Sequence, residues 1–399
     1  MISEVLSASN KFPQIYPIYW LFDILIETLK FRLPYLNLIE TELQLPEKNH
    51  SEYLVIDLFS GCGGLALGFE ATGFQTIGYE ILADACATYQ HNLLGVCHQV
   101  SLTPLSNLVE GAAVIIGGPP CQPFSVSGHQ LGLKDSRDGF PTFIAAVERY
   151  RPQLALFENV RGMLFRNKKY FEEIVLALQE IGYIVEWEIL NAAHYGVPQK
   201  RERLFCVAHK GGWYWPEKTH FYSPYTAGEA LGKSAYLAPP NSKILTPSMD
   251  EYIKKYEIAS KCINPRDINL DTPARTVTCR NLSSPTGDML RIRLPDGRRR
   301  RLTVREGARL QSFPDWFQFQ GSENNQFNQI GNAVPPLLAK ALAHSVKTYL
   351  ERKQQISSQE IHQSTQYIQL SLELGIDAVE NPARNNCKLR KPGVTKDVR

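Results

Sequence analysis

The sequence predicts an α/β protein: a doubly wound, mostly parallel sheet with a smaller, irregular domain attached. Three observations carry that prediction. Short apolar runs alternate with helix-length segments from residue 53 to about residue 208, a pattern that implies parallel βαβ units. Turns rich in glycine or proline close two of those runs, at 61–64 and 117–120. After His209 helical periodicity fades, and Trp213, Tyr214, Trp215, Phe221, Tyr222 and Tyr225 gather among prolines.

The elements follow in order. Residues 1–50 form an apolar, aromatic-rich extension. Residues 53–59 (YLVIDLF) read as a buried strand, and Gly61, Gly63, Gly64 and Gly68 lead into a helix through Leu65 and Phe69. A second strand is expected at 74–80 and a helix at 83–93. The run 112–116 (AAVII) is a strand ending in GGPPCQPFS. A helix at 140–150, a strand at 154–158, a helix at 170–180 and strands at 185–190 and 203–208 complete a catalytic and cofactor-binding region, 51–209. Residues 210–325 are the irregular domain. A C-terminal helix is expected over 326–351, started by Pro335 and Pro336. Residues 352–399 are polar, Gln- and Ser-rich, and read as a disordered tail.

Composition fits a soluble protein. The 399 residues carry 43 Lys and Arg against 40 Asp and Glu, a net charge of +3, which permits a nucleic-acid partner without requiring one. The start, Met1-Ile2-Ser3-Glu4, lacks a secretory signal, and the apolar stretch 12–38 is broken by Asp23, Glu27, Lys30 and prolines, so no membrane span is expected. Eight scattered cysteines form no CxxC pair and no His/Cys cluster. No metal site is therefore expected, and a reducing cytoplasm is. Arg291, Arg293, Arg298, Arg299, Arg300, Arg301, Arg305 and Arg309 crowd one segment beside Asp296-Gly297. This reads as a basic hairpin or loop whose arginines suit phosphate contact, a solvated face being the alternative.

Two loops carry the chemistry. Asp57-Leu58-Phe59-Ser60-Gly61-Cys62-Gly63-Gly64 joins the first strand to the first helix, where glycines let backbone approach a nucleotide-like ligand. Glu80, ending the second strand, can accept bonds from ribose hydroxyls. The same residues satisfy the loose dinucleotide pattern GxGxx(G/A), so a nicotinamide-dependent oxidoreductase is a rival on this loop alone. In the second loop Cys121 follows Pro119 and Pro120, which stiffen its support as a nucleophile's position requires.

Together these motifs resemble the DNA (cytosine-5) methyltransferase family over about 51–350. DLFSGCGG (57–64) is similar to its S-adenosylmethionine loop and GGPPCQPFS (117–125) to its nucleophile loop. Glu158-Asn159-Val160, Gln199-Lys200-Arg201-Glu202-Arg203, the blocks at 301–306 and 309–314, and Gln329 to Val334 match further motifs in the same order. The resemblance implies the Rossmann-like methyltransferase fold, with 210–325 as target-recognition domain. It implies S-adenosyl-L-methionine as cofactor and double-stranded DNA as substrate. Cys121 would be the nucleophile; Glu158, Arg203 and Arg201 would complete the catalytic set. Asp57, Phe59, Gly61, Cys62, Gly63, Gly64, Glu80, Ile81, Ser101, Leu102, Pro120, Asn332 and Ala333 would hold the cofactor. Gln122 to Gly139 would close over a flipped base, with Gly128, Gly132 and Gly139 as hinges and Ser125 and Ser127 near phosphate. One departure stands out: Ser101 occupies the place of the family's acidic residue for the adenine amine. A bacterial, cytoplasmic, monomeric enzyme is expected, either part of a restriction-modification system with a cognate endonuclease acting on the same site or an orphan modification enzyme. An RNA-acting member of the family and a catalytically silent DNA-binding regulator are the alternatives. The absence of a CFT tripeptide in 210–280 disfavours the RNA branch, and the oxidoreductase leaves PPCQ, ENV and QxRxR without a role.

Overall fold

A computed structural model describes residues 33–47, 52–120, 138–239, 242–259, 261, 266–283 and 288–373. The chain divides into two compact units, Met1–Ser345 and Val346–Arg399, and every site residue lies in the first. Its elements are α1 (Tyr35–Glu42), β1 (Leu54–Leu58), α2 (Gly64–Glu70), β2 (Gln75–Glu80), α3 (Ala83–Asn92), β3 (Val96–Gln99), β4 (Val114–Gly117), α4 (Phe140–Tyr150), β5 (Leu154–Val160), α5 (Lys168–Glu180), β6 (Ile184–Asn191), β7 (Gln199–Lys200) and β8 (Glu202–His209). There follow α6 (Ala227–Leu231), α7 (Pro247–Ala259), β9 (Ala274–Arg275), α8 (Cys279–Ser283), β10 (Arg291–Arg293), β11 (Arg299–Arg301), α9 (Val304–Leu310), α10 (Glu323–Asn332) and α11 (Pro336–Glu373).

Seven strands form one sheet in the order β3-β2-β1-β4-β5-β8-β6. β1 pairs in parallel with β2 and β4, and β4 with β5. Only β8 runs against its neighbours in this sheet, antiparallel to both β5 and β6. Central strands buried on both faces read as continuous apolar runs. Ile56, Ile115, Ala155 and Leu204 pack with Phe143 and Val147 of α4 and Ile174 and Leu178 of α5. Each of the larger ones, Ile, Leu, Val or Phe, contributes about 1.5–3 kcal/mol.

Glycine spacing sets one close approach. A Cβ on Gly64 would stand 2.6 Å from the Val334 carbonyl oxygen, and one on Gly68 would stand 2.3 Å from the Lys340 nitrogen. Two glycines four apart share a face of α2, so the first turn of α11 lies against bare backbone. The described part of the N-terminal extension is anchored to segments late in the chain. Ile39 and Leu43 are buried, the Tyr35 hydroxyl donates to the Arg309 carbonyl at 2.7 Å, and Glu42 pairs with Lys340 at 2.7 Å.

Three expectations are corrected. The single helix expected over 326–351 is two: α10 ends at Asn332, Ala333 is extended (ψ 147°), and α11 starts at Pro336. Val334 and Pro335 each precede a proline and are driven out of the helical region, which keeps α10 from continuing into α11. α11 then runs to Glu373, past the expected boundary at 352. Polar composition was the wrong guide there, because 337–374 contain neither glycine nor proline to stop a helix. No helix among the described residues is long and apolar enough to cross a membrane.

The third correction concerns the arginines. β10 and β11 do form a hairpin, turning at Gly297 (φ +84°). Its arginines mostly point into the protein. Arg291 is fully buried between Glu257 (2.8 Å) and Asp267 (2.9 Å), and Arg299 pairs with Asp250 at 2.7 Å. Arg300 is 0% exposed, binds both oxygens of Glu306, and donates to the carbonyls of Ser234, Leu237 and Arg301. Arg301 donates to the Leu282 and Ser283 carbonyls. Arg305 donates to the Pro314 and Phe317 carbonyls, and Arg309 pairs with Asp315. Arg293 and Arg298 keep exposed heads, each beside an aspartate. The segment is a structural lattice of ion pairs rather than a phosphate surface.

Candidate active site

β1 lies where the strand order reverses, with β2 on one side and β4 on the other. Ligands of open α/β sheets bind at the carboxyl ends of strands at that point. Asp57, Glu80, the Gly117–Pro120 turn and Glu158 all sit at such ends.

The β1–α2 loop is wound by three left-handed residues, Phe59 (φ +58°), Gly61 (+55°) and Gly63 (+86°). Phe59 is the one with a side chain to strain, and strain of this kind concentrates at functional sites. Glu80 spans the loop's mouth: its carboxylate accepts from Gly61 N (2.9 Å), Ile81 N (2.9 Å) and Leu82 N (2.8 Å). Ile81 and Leu82 expose their side chains beside it. Asp57 is 1% exposed, and neither carboxylate oxygen has a hydrogen-bond partner among the described residues. Burial, and then the nearby Glu80, push its carboxyl well above the ordinary aspartate range. A buried carboxylate without donors is costly, which makes Asp57 a socket for a ligand that brings donors. Cys62 is buried with its thiol pushed up to about 12 by desolvation, so it supports the loop and is not a nucleophile. Ser101 lies just past β3 and is exposed; Leu102 is half-buried.

The β4–α4 turn is held from three sides. A Cβ on Gly117 would stand 2.5 Å from the Leu58 carbonyl oxygen, so only glycine fits this edge of β1. The Pro119 carbonyl accepts from Asn159 Nδ2 at 3.0 Å, and the Pro120 carbonyl from Gly139 N at 3.0 Å. Gly139 has φ −86°, a conformation open to any residue. It is needed for space, since a Cβ there would lie 2.5 Å from Pro120 and 2.9 Å from the Phe59 ring. Cys121, Gln122, Ser125, Ser127, Gly128 and Gly132 lie outside the described residues. Asn159 is the residue sequence reasoning passed over; it stood in the ENV string without a role, and it pins the backbone two residues before Cys121.

Glu158 pairs with Arg203 Nε at 3.0 Å, and both side chains are mostly buried. β5 and β8 bring them together, with Glu158 opposite Phe205 and Arg203 opposite Val160. Gly118 faces them: a Cβ there would stand 3.9 Å from Glu158 Oε2. Arg201, counted with the catalytic residues on resemblance, is instead 1% exposed and donates to the carbonyls of Val277 (2.7 Å), Gly331 (3.2 Å) and Ala333 (3.1 Å). Burial and the neighbouring Arg203 push its guanidinium down to about 9, so it stays cationic at neutral pH. It ties β7 to the turn after α10. Asn332 is exposed and accepts from Cys279 Sγ at 2.9 Å; Ala333 lies against Gly64. A cleft of about 490 Å³ opens beside Arg203, lined among others by Val160, Arg161, Gly162, Lys200 and Glu202. No cluster of His, Cys, Asp and Glu among the described residues could hold a metal ion.

Comparison with known proteins identifies the family and the fold. Residues 53–348 match the sequence family described as C-5 cytosine-specific DNA methylase. The type II methyltransferase M.AplI of Arthrospira platensis is 61% identical over 322 residues, 81% of this chain and 93% of that one. The type II methyltransferase M1.HphI of Haemophilus parahaemolyticus is 38% identical, covering 74% of this chain and 89% of its own length. The crystal structure of a Spodoptera frugiperda DNMT2 mutant shares the fold, with a TM-score of 0.56 at 18% identity, over 74% of this chain and 99% of that one. The chain therefore belongs to the C-5 cytosine-specific DNA methylases and is a DNA cytosine-5 methyltransferase of the type II restriction-modification kind.

Proposed function

We propose that the protein transfers a methyl group from S-adenosylmethionine to C5 of a flipped-out cytosine in a short duplex DNA sequence, through a covalent bond between Cys121 and C6. The observation that carries this reading is the Glu158–Arg203 pair, set beside the turn that leads into Cys121. A cytosine inside a duplex cannot reach these groups, so it must leave the stack. Cys121 adds as thiolate to C6, and the displaced electron pair makes C5 nucleophilic. Glu158 meets N3 and the exocyclic amine and offsets charge developing on the ring. Arg203 fixes Glu158 and holds the O2 edge. After C5 is methylated, its proton leaves to a base, the C6–sulfur bond breaks, and Cys121 returns as thiolate.

The cofactor pocket suits S-adenosylmethionine. Asp57 supplies unpartnered acceptors for a cationic donor, Glu80 supplies a carboxylate at ribose height, and Phe59, Gly61, Gly63, Gly64, Ile81, Ser101, Leu102, Pro120, Asn332 and Ala333 complete its walls. When bound, the cofactor provides an electrophilic methyl group. Residues 210–325 are assigned to target recognition, and the protein is assigned to DNA in the bacterial cytoplasm as a monomer, within a restriction-modification system or as an orphan modification enzyme. Bisulfite sequencing of DNA from a host expressing the chain, with methyl-tritiated cofactor supplied to purified protein and duplex DNA or tRNA, tests the whole. One short methylated motif in DNA is expected. Label in tRNA alone, or none in either, overturns the reading.

Asp57→Asn is expected to stabilise the cofactor-free protein at neutral pH and to weaken cofactor binding. The folded carboxyl titrates above its unfolded value of about 3.9. The stability it contributes is thus full below that value and lost as pH rises through the raised one. Asparagine removes the loss, and with it the negative charge and one of the two acceptor oxygens. Thermal denaturation from acid to neutral pH, with and without S-adenosylmethionine, checks both. An unchanged curve and an unchanged cofactor-induced shift would remove Asp57 from the site.

A further inference from the structure

With the arginine hairpin occupied internally, the cations that face the site lie elsewhere. Gln199 of β7 and Arg201, just after it, are buried at 0% and 1% exposure, and Lys200 between them is exposed and lines the cleft beside Arg203. That alternation is the period of a strand. The Lys200 carbonyl accepts the Thr276 hydroxyl at 2.7 Å, which fixes the backbone beneath the side chain. Its ammonium has no ion pair among the described residues. Across the cleft, Arg161 follows β5, lies over the Phe165 ring at 5.8 Å, and pairs with Glu202 at 2.6 Å. Both members of that pair are about half exposed, and an exposed pair is worth roughly 0–1 kcal/mol. A phosphate can therefore draw Arg161 away from Glu202 at little cost. Around the cleft three cations (Arg161, Lys200, Arg203) meet two carboxylates (Glu158, Glu202), leaving one positive charge in excess. A phosphodiester carries one negative charge.

We propose that Lys200 and Arg161 form a binding site for a backbone phosphate of the target DNA strand, next to the flipped nucleotide. The proposal rests on the reading of the protein as a base-flipping cytosine methyltransferase. Phosphate neutralisation releases counterions, so each contact adds about 0.9 to the slope of log K against log salt. The test is anisotropy titration of the full chain with a duplex carrying its methylated motif, across a KCl series. Lys200→Ala should lower the slope by about 0.9 and raise the KM for DNA more than it lowers kcat. Lys200→Arg should restore the slope. Glu202→Gln, which frees Arg161, should strengthen binding, an effect no merely structural role would produce. A wild-type slope in Lys200→Ala, with wild-type protein still methylating the duplex, overturns the phosphate site and leaves the methyltransferase reading intact. Wild-type protein that methylates no cytosine overturns that reading itself.

Discussion

Cys121→Ser is expected to abolish methylation and to lose the covalent adduct with duplex DNA carrying 5-fluorocytosine at the target, while DNA binding persists. A serine hydroxyl is far less acidic than a thiol, whose ordinary pKa is about 8.5, so it cannot furnish the anion that must add to C6. Fluorine at C5 cannot leave as a proton does, so elimination stalls and the adduct accumulates on the wild-type protein. Of the described cysteines, Cys86 is buried and donates its S–H to the Cys97 carbonyl at 3.2 Å. Burial raises the thiols of Cys62, Cys97, Cys206 and Cys279 above their ordinary range. Denaturing electrophoresis followed by peptide mapping of the adduct checks the assignment. Normal turnover by the variant, or an adduct mapped to another cysteine, would falsify it.

Arg300→Ala is expected to cost about 3–5 kcal/mol of stability, the range for breaking a buried pair by removing one partner. All five N–H groups of Arg300 are engaged. Its partner Glu306 also caps α9, accepting from Thr303 N at 2.9 Å, so the loss would loosen the helix start as well. Burial alone would raise the Glu306 carboxyl, but hydrogen bonds from Arg300 and Thr303 hold it below the ordinary glutamate value. The stability it contributes is then present above about pH 4.3 and lost as pH falls through the depressed value. Arg300→Ala should therefore destabilise most at neutral pH and less in acid. Exposed Arg298→Ala should leave the midpoint close to wild type, as surface changes do. Denaturant midpoints at both pH values measure this. Equal midpoints for Arg300→Ala and wild type would return the hairpin to a nucleic-acid role.

The sequence by itself determined the elements and their chemistry. Apolar runs, glycine turns and prolines are local signals, so β1, β2, β4, β5 and their helices lay within a residue or two of where periodicity put them. Motif order carried Glu158, Arg203 and the cofactor loop to adjoining strand ends. Only the tertiary structure decided which charges are free. Arg291, Arg299 and Arg300 look like the isolated Lys200 in a string of letters, yet Glu257, Asp267, Asp250 and Glu306 neutralise the first three after the chain folds back on itself. The same is true of Arg201, whose three carbonyl partners come from segments far along the chain, and of Asp57, whose isolation is a property of the packed sheet. Periodicity and turn preference are settled by neighbours in sequence. Burial and ion pairing are settled by neighbours in space, and those exist only once the sheet has closed around them.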